Sequence, residues 1–208
     1  MSSLNPSKIV CVGKNYAKHA AEMGSEVPSE PLIFMKPPSA LIDAGDSIVM
    51  PAESERVDYE GEIGIIIGRQ ASKVSKSDAW SYVEAVVPVN DVTARDLQAR
   101  DNQWTRAKGF DSFCPVGTPI PIADVDTAAL GVTTRVNGEV RQHGIASDMV
   151  FDIPTILEYV SGIMTLEPGD LIATGTPDGI GPLEAGDVVE IEVHGVGTVS
   201  NPVVSAQG

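Results

Sequence analysis

Apolar positions come in short runs rather than in long periodic stretches. Ile9-Val10-Cys11-Val12, closed by Gly13, predicts a buried strand, and Leu32-Ile33-Phe34-Met35-Lys36 predicts another that ends at Pro37-Pro38. Gly-Asp precedes an alternating apolar segment at three places. These are Gly45-Asp46 before Ile48-Val49-Met50, Gly169-Asp170 before Leu171-Ile172, and Gly186-Asp187 before Val188-Val189. The pair suits a tight turn that launches a strand. The spacings are irregular and do not make an internal repeat. Glu190 to Val199 continues the alternation, with a bend at Gly195 and Gly197. Helical patterns are fewer. A short helix is expected after Lys14, with Asn15 as N-cap and Gly24 as stop. Thr93 to Trp104 has helical composition. Asp152-Ile153-Pro154 opens a third helix that places Ile156, Leu157 and Val160 on one buried face. Strands dominate and helices are isolated, so the expected class is a β-rich α+β fold and not a regular βαβ series. Residues 1–50 are set apart as a small N-terminal segment carrying the first helix, with 51–208 as the main β domain.

Composition narrows the function. With 208 residues and 42% hydrophobic content, the chain can bury a sizeable core. A formal net charge of −15 repels phosphate backbones and makes nucleic acid a poor partner, although the same charge also reads simply as a solvated surface. An anionic substrate would need a local cation to overcome that field. The two cysteines, Cys11 and Cys114, form no CxxC pattern, so neither a zinc cluster nor a disulfide framework is indicated. Cys11 reads as a small core residue. The N-terminus lacks a charged flank followed by a long apolar stretch, and no apolar run is long enough to span a membrane. The expectation is a cytoplasmic protein with no membrane partner.

Candidate chemistry concentrates in Asp58-Tyr59-Glu60-Gly61-Glu62-Ile63-Gly64-Ile65-Ile66-Ile67. Read as a strand, Glu60 and Glu62 point the same way, with Cα atoms about 6.5–7 Å apart. Two carboxylates at the mouth of a buried strand repel each other and resist desolvation. A divalent cation on hard oxygen ligands relieves this. An exposed strand edge paired with Arg56 is the competing reading. Asp91 ends the apolar run Ala85 to Val89, and is either a third ligand or the N-cap of the following helix. His19 and Glu22 share a face at i,i+3, suited to an oriented general base or to an exposed helical pair. Lys108 lies between Trp104 and Phe110, as a snorkelling residue or as a charge buried for function. His143 and His194 read as structural or surface residues. Thr174 to Gly181 is a Gly-rich turn that is neither a P-loop nor a dinucleotide fingerprint, and no GxSxG elbow occurs.

In their order along the chain these motifs resemble the fumarylacetoacetate hydrolase family. The pieces are Asn15-Tyr16 with His19 and Glu22, Phe34-Met35-Lys36-Pro37, Glu60-Gly61-Glu62-Ile63-Gly64, Asn90 to Gln98, Lys108-Gly109-Phe110-Asp111 and Thr174-Gly175-Thr176-Pro177. The small size resembles the short acylpyruvate-hydrolase branch. The resemblance implies a mixed β-roll or β-sandwich domain with a few short helices, and a homodimer. It also implies Mg²⁺ or Mn²⁺ on Glu60, Glu62 and Asp91, with Ca²⁺ as an in vitro substitute. The implied substrate is a small 2-oxo acid. Lys108 would act in catalysis, Gln98 would line the substrate and Thr176 would hold its carboxylate, with Arg95 and Lys36 as further contacts. His19 and Glu22 would sit on a segment that closes over the site. The implied reaction is hydrolysis of an acylpyruvate to pyruvate and a carboxylic acid, with His19 deprotonating water. The alternatives are oxaloacetate decarboxylation, isomerisation or tautomerisation of a 2-oxo or 2-hydroxy-diene acid, and a non-catalytic oxo-acid-binding dimer. Where relatives often read Gly-Asn-Thr, this chain has Gly144-Ile145-Ala146, a departure that bears on the substrate's far end.

Overall fold

The computed structural model describes residues 4–206. The chain begins with β1 (Ile9–Gly13), α1 (Ala17–Glu22), β2 (Leu32–Lys36), β3 (Leu41–Ile42), β4 (Ile48–Met50) and β5 (Val57–Tyr59). Next come β6 (Gly61–Ile67), β7 (Val83–Asn90), β8 (Thr93–Ala94), α2 (Arg95–Arg100), α3 (Thr105–Lys108), β9 (Cys114–Pro115) and β10 (Ile120–Pro121). The rest are β11 (Gly131–Val136), β12 (Glu139–Ile145), α4 (Ile153–Ile163), β13 (Leu171–Ala173), β14 (Gly181–Pro182), β15 (Val188–Val193) and β16 (Gly197–Ser205). The fold is strand-rich α+β, as the pattern predicts.

Two sheets carry it. A six-stranded sheet has the order β10-β7-β6-β13-β1-β2, and a five-stranded sheet has the order β12-β11-β15-β16-β4. Between them lies the main core. Ile63, Ile65, Ile67 and Val86 come from the first sheet, and Val132, Val189, Ile191, Val193, Val199 and Val203 from the second. The other face of the six-stranded sheet buries Ile9, Cys11, Ile66, Val87, Val89, Leu171 and Ala173 with Cys114. Burial on both faces explains why β6 reads as a continuous apolar run instead of alternating. In β15, Val189, Ile191 and Val193 are buried while the residues between them are not, as expected where one face meets solvent.

Each Gly-Asp pair precedes a strand: β4, β13 and β15. The bend at Gly195–Gly197 joins the antiparallel pair β15 and β16. Helix α4 starts where expected. Asp152 accepts from the Thr155 N–H at 2.9 Å, and Ile156, Leu157 and Val160 are buried. Strands β1 and β2 lie in the six-stranded sheet and β4 in the five-stranded one, so residues 1–50 share both large sheets with residues 51–208.

Two expectations need correction. Asn15 is not an N-cap: α1 is preceded by Tyr16, with no side-chain cap. Thr93 to Trp104 is not one helix. Thr93–Ala94 pairs with β5 as β8, and the helical stretch breaks at Asp101, which is extended. Pairing of Thr93 with Asp58 and the Arg95 N–H bond to the Arg56 carbonyl (2.8 Å) draw this start of the segment into a ladder. Tertiary pairing overrides local helical composition there. No helix among the described residues is long and apolar enough to cross a membrane.

Candidate metal centre and active site

The hairpin β6–β7 builds the site. Its register sets Gly61 opposite Asn90, and the Asp91 N–H donates to the Glu60 carbonyl at 2.8 Å. Glu60 sits in the one-residue break between β5 and β6, and Asp91 follows the last residue of β7. Glu60, Glu62 and Asp91 thereby converge at one end of the sheet, with ligand oxygens all within 4.8 Å of one another and all three residues buried. Asp91 is not a helix cap, since α2 is preceded by Ala94. Gly61 must lack a side chain. A Cβ there would lie 2.1 Å from Thr134 Oγ1.

Cations answer these carboxylates unevenly. Lys108 Nζ donates to Glu60 Oε2 (2.8 Å) and Asp91 Oδ2 (2.6 Å). Arg95 binds Glu60 Oε1 (2.5 Å), Asp58 Oδ2 (3.0 Å) and Gln98 Oε1 (2.6 Å). Lys36, fully buried, donates to Asp91 Oδ1 (2.6 Å) and the Val92 carbonyl (3.0 Å). Burial alone would raise the Glu60 carboxyl, but Lys108 and Arg95 hold it well below the usual carboxylate range. Burial would lower Lys108, and Asp91 and Glu60 more than offset this. Glu62 differs. It forms no ion pair among the described residues, and its one hydrogen bond is from the Gly175 N–H to Oε2, 2.8 Å. Burial, then Asp91, then Glu60 push its carboxyl well above the ordinary value of 4.5. A buried carboxylate without a cation, beside two others, is a donor set that fits a divalent ion. The competing reading of an exposed, Arg56-paired edge fails because Arg56 pairs with Asp58.

The loop after β13 forms one wall. The Thr174 N–H and hydroxyl both donate to the Ile63 carbonyl (3.1 and 2.8 Å), anchoring the loop on β6. Gly175 has φ +104, and a Cβ would stand 2.6 Å from Asn15 Cβ, so only glycine can present its N–H to Glu62 here. Thr176 Oγ1 donates to the Gly61 carbonyl (2.9 Å) and accepts from Gln142 Nε2 (2.8 Å).

A cavity of about 240 Å³ opens onto the carboxylates and is lined by His19, Glu60, Glu62, Asp91, Arg95, Gln98, Lys108 and Thr176, among others. Glu22 is not on its wall but behind His19. Its Oε2 is 3.4 Å from His19 Nδ1, and its carboxylate accepts from the Gly179 N–H at 3.2 Å. His19 is buried, so the pair is not an exposed helical couple. Lys36 is not on the wall either. It stands behind Asp91, with its ammonium group bonded to Asp91 Oδ1 and the Val92 carbonyl. The Thr176 hydroxyl is likewise committed to the frame. Gly144 packs against Pro177 and Tyr16, and none of Gly144, Ile145 and Ala146 lines the cavity.

Sequence reasoning missed three supporting side chains. Gln142, buried on β12, uses all four of its hydrogen-bonding positions. Oε1 accepts from the Gly61 N–H and Thr134 Oγ1, and Nε2 donates to Thr176 Oγ1 and the Pro177 carbonyl. Asp58, fully buried, clamps both Arg56 and Arg95. Asn15 bonds the Phe151 carbonyl and N–H and the Thr174 carbonyl. Asp58 carried a signal as an extra acid beside Glu60, Asn15 one as part of the Asn15-Tyr16 motif, and Gln142 none. His143 and His194 lie away from the cavity. They stack at 5.5 Å and share the Thr133 hydroxyl.

The chain matches the family described as "Fumarylacetoacetate (FAA) hydrolase C-terminal" over residues 8–204. It is 45% identical over 212 residues to oxaloacetate tautomerase YisK of Bacillus subtilis, covering 95% of this chain and 70% of that protein. The crystal structure of 2-hydroxyhepta-2,4-diene-1,7-dioate isomerase from Mycobacterium marinum superposes with a TM-score of 0.90 at 47% identity, over 99% of this chain and 77% of that one. Fumarylpyruvate hydrolase from Pseudomonas aeruginosa, solved with Mn²⁺ and pyruvate, superposes with a TM-score of 0.93 at 30% identity, over 98% and 92%.

Proposed function

Because the chain belongs to the fumarylacetoacetate hydrolase family, we propose that it is a divalent-metal-dependent enzyme moving a proton beside the carbonyl of a 2-oxo acid, a keto–enol tautomerase of oxaloacetate-like substrates. The observation that carries this is one acid–base group, His19, on the same cavity wall as the three carboxylates and Lys108. Support for tautomerisation also comes from the higher identity to relatives named tautomerase and isomerase than to fumarylpyruvate hydrolase from Pseudomonas aeruginosa. Glu60, Glu62 and Asp91 would hold Mg²⁺ or Mn²⁺. When bound, such an ion supplies Lewis-acid polarisation of the 2-oxo oxygen.

The chain's own residues do the rest. Glu22 faces His19 Nδ1, which favours a proton on that nitrogen and leaves Nε2 as the base. His19 Nε2 takes the proton from the carbon next to the carbonyl. The C–H electron pair becomes the C=C bond, the C=O pair moves onto oxygen, that oxygen takes a proton from water to give the enol, and His19 gives its proton back to water. The reverse sequence returns the keto form. Lys108 spends two of its three N–H groups on Glu60 and Asp91, and the third is available to the developing negative oxygen.

A second reading keeps the same residues. The His19–Glu22 pair also suits deprotonation of water, and attack of that water on the distal carbonyl of an acylpyruvate would release pyruvate and a carboxylic acid. The deciding experiment follows enol absorbance of oxaloacetate and of acetylpyruvate and fumarylpyruvate with Mg²⁺ or Mn²⁺, with chelator controls and product analysis. Oxaloacetate should equilibrate without loss of CO₂, and His19→Ala should lower the rate by about 10²–10⁴-fold. Cleavage of the acylpyruvates with no acceleration of oxaloacetate tautomerisation would replace the first reading by the second. Rapid CO₂ release would replace it by decarboxylation. Full activity in His19→Ala would remove His19 as the base.

A further inference from the structure

We propose that Lys14 receives the distal carboxylate of the substrate, so that the cavity selects 2-oxo diacids over 2-oxo monoacids. This rests on the reading of the cavity as a 2-oxo acid site.

Three permanent cations line the cavity: Lys14, Arg95 and Lys108. Lys108 is committed to Glu60 and Asp91, and Arg95 to Asp58, Glu60 and Gln98. Lys14 forms no hydrogen bond or ion pair with any described residue. It is also half-buried, where an ammonium group has a reason to find a partner. Its backbone is the second observation. Lys14 has φ +57, a left-handed conformation that a non-glycine residue adopts only at a cost. It directly follows Gly13, whose missing side chain lets the Trp104 ring close against the end of β1. The left-handed turn therefore sets Lys14, with no partner among the described residues, among the residues that line the cavity.

Charge balance points the same way. The three lining carboxylates match the three lining cations in number, and behind the wall Lys36 and Arg56 offset Asp58 and Glu22. A divalent ion on Glu60, Glu62 and Asp91 would leave the cavity two positive charges in excess. A 2-oxo monoacid neutralises one of these and a diacid both. The one cation without an internal partner is the natural seat for the second carboxylate.

Oxaloacetate and 2-oxobutanoate test this, because they share a four-carbon skeleton and differ in the distal carboxylate. Trp104 lines the cavity, so stopped-flow fluorescence with Mg²⁺-loaded protein reads binding before turnover. Lys14→Met should weaken oxaloacetate by about 10–100-fold and 2-oxobutanoate by less than about 3-fold, while Lys14→Arg should keep oxaloacetate within about 3-fold of wild type. Circular dichroism of both variants checks that they are folded. Equal losses for the two acids, or no loss of oxaloacetate in folded Lys14→Met, would overturn the assignment. If wild-type protein binds neither acid more tightly with Mg²⁺ than with chelator, the 2-oxo acid reading has failed, and the assignment of Lys14 falls with it.

Discussion

Gln142 shows how much of the site is held by groups that do no chemistry. The Gly61 N–H, Gln142 Oε1 and Nε2, Thr176 Oγ1 and the Gly61 carbonyl close a ring of hydrogen bonds around the residue between Glu60 and Glu62. The ring fixes where the two carboxylates stand, and it joins the five-stranded sheet to the loop carrying Gly175. Gln142→Leu removes a buried amide of similar size and strands the Gly61 N–H, at a cost of about 1–3 kcal/mol. Mn²⁺ affinity, read by calorimetric titration, should fall about 10–100-fold, as for other partners that orient ligands. A lower Tm with unchanged Mn²⁺ affinity would make Gln142 only a structural brace. Local pattern left Glu60 and Glu62 open to an exposed edge and Asp91 open to a helix cap, and it was their ordered company along the chain with His19, Glu22, Lys108 and Thr176 that joined the three as one set. Gln142 was not legible. Its partners are the Gly61 N–H, the Pro177 carbonyl and the Thr176 hydroxyl, all 34 or more residues away, with the Thr134 hydroxyl on the neighbouring strand β11, and no local pattern marks a glutamine for such work.

Helix α1 has only six residues, too few to persist alone in water, so tertiary anchors must hold His19 in place. Asn15 is one anchor. Its side chain spans the Phe151 main chain and the Thr174 carbonyl, tying the start of α1 to the loop after β13. The Glu22 carboxylate on the Gly179 N–H is another. Asn15→Ala leaves buried main-chain groups unpaired and should destabilise the protein by about 2–4 kcal/mol. Hydrogen exchange should quicken first at the Ala20 and Met23 amides, which close the turns of α1, and at Val150, relative to the central strand β13. Uniform acceleration across the fold would mean that Asn15 stabilises the whole and does not anchor α1. At this scale the strands and their Gly-Asp turns could be read from alternation and turn chemistry. The role of Asn15 could not, because the same residue type before a short helix is the ordinary mark of an N-cap, and only the position of Phe151 and Thr174 in space distinguishes the two.

With a divalent ion on Glu60, Glu62 and Asp91 as proposed, folding and ion binding are linked through Glu62 across the whole molecule. In the ion-free protein burial, Asp91 and Glu60 raise its carboxyl well above 4.5, whereas in the unfolded chain it titrates near about 4.3. Between those values the folded state holds a proton that the unfolded state has lost. The contribution of Glu62 to stability is therefore full below about pH 4.3 and declines as pH rises toward its folded value. Glu60 works in the opposite sense. Its carboxyl is depressed, so its contribution is present above the unfolded value and is lost in acid. A divalent ion must displace the Glu62 proton to bind, so its stabilising effect should grow as pH rises. At an ion concentration 100 times Kd the gain is about 2.7 kcal/mol, which for a chain of this size raises Tm by roughly 5–11 °C. Scanning calorimetry of Mn²⁺-saturated and chelated protein between about pH 5 and pH 8 should show the Tm difference widening with pH. Glu62→Gln should abolish most of that difference, and should remove the decline of the chelated protein's stability with rising pH. A Tm difference that stays flat in wild type would mean that the ion and the Glu62 proton do not compete, and that the cation is held by Glu60 and Asp91 without Glu62.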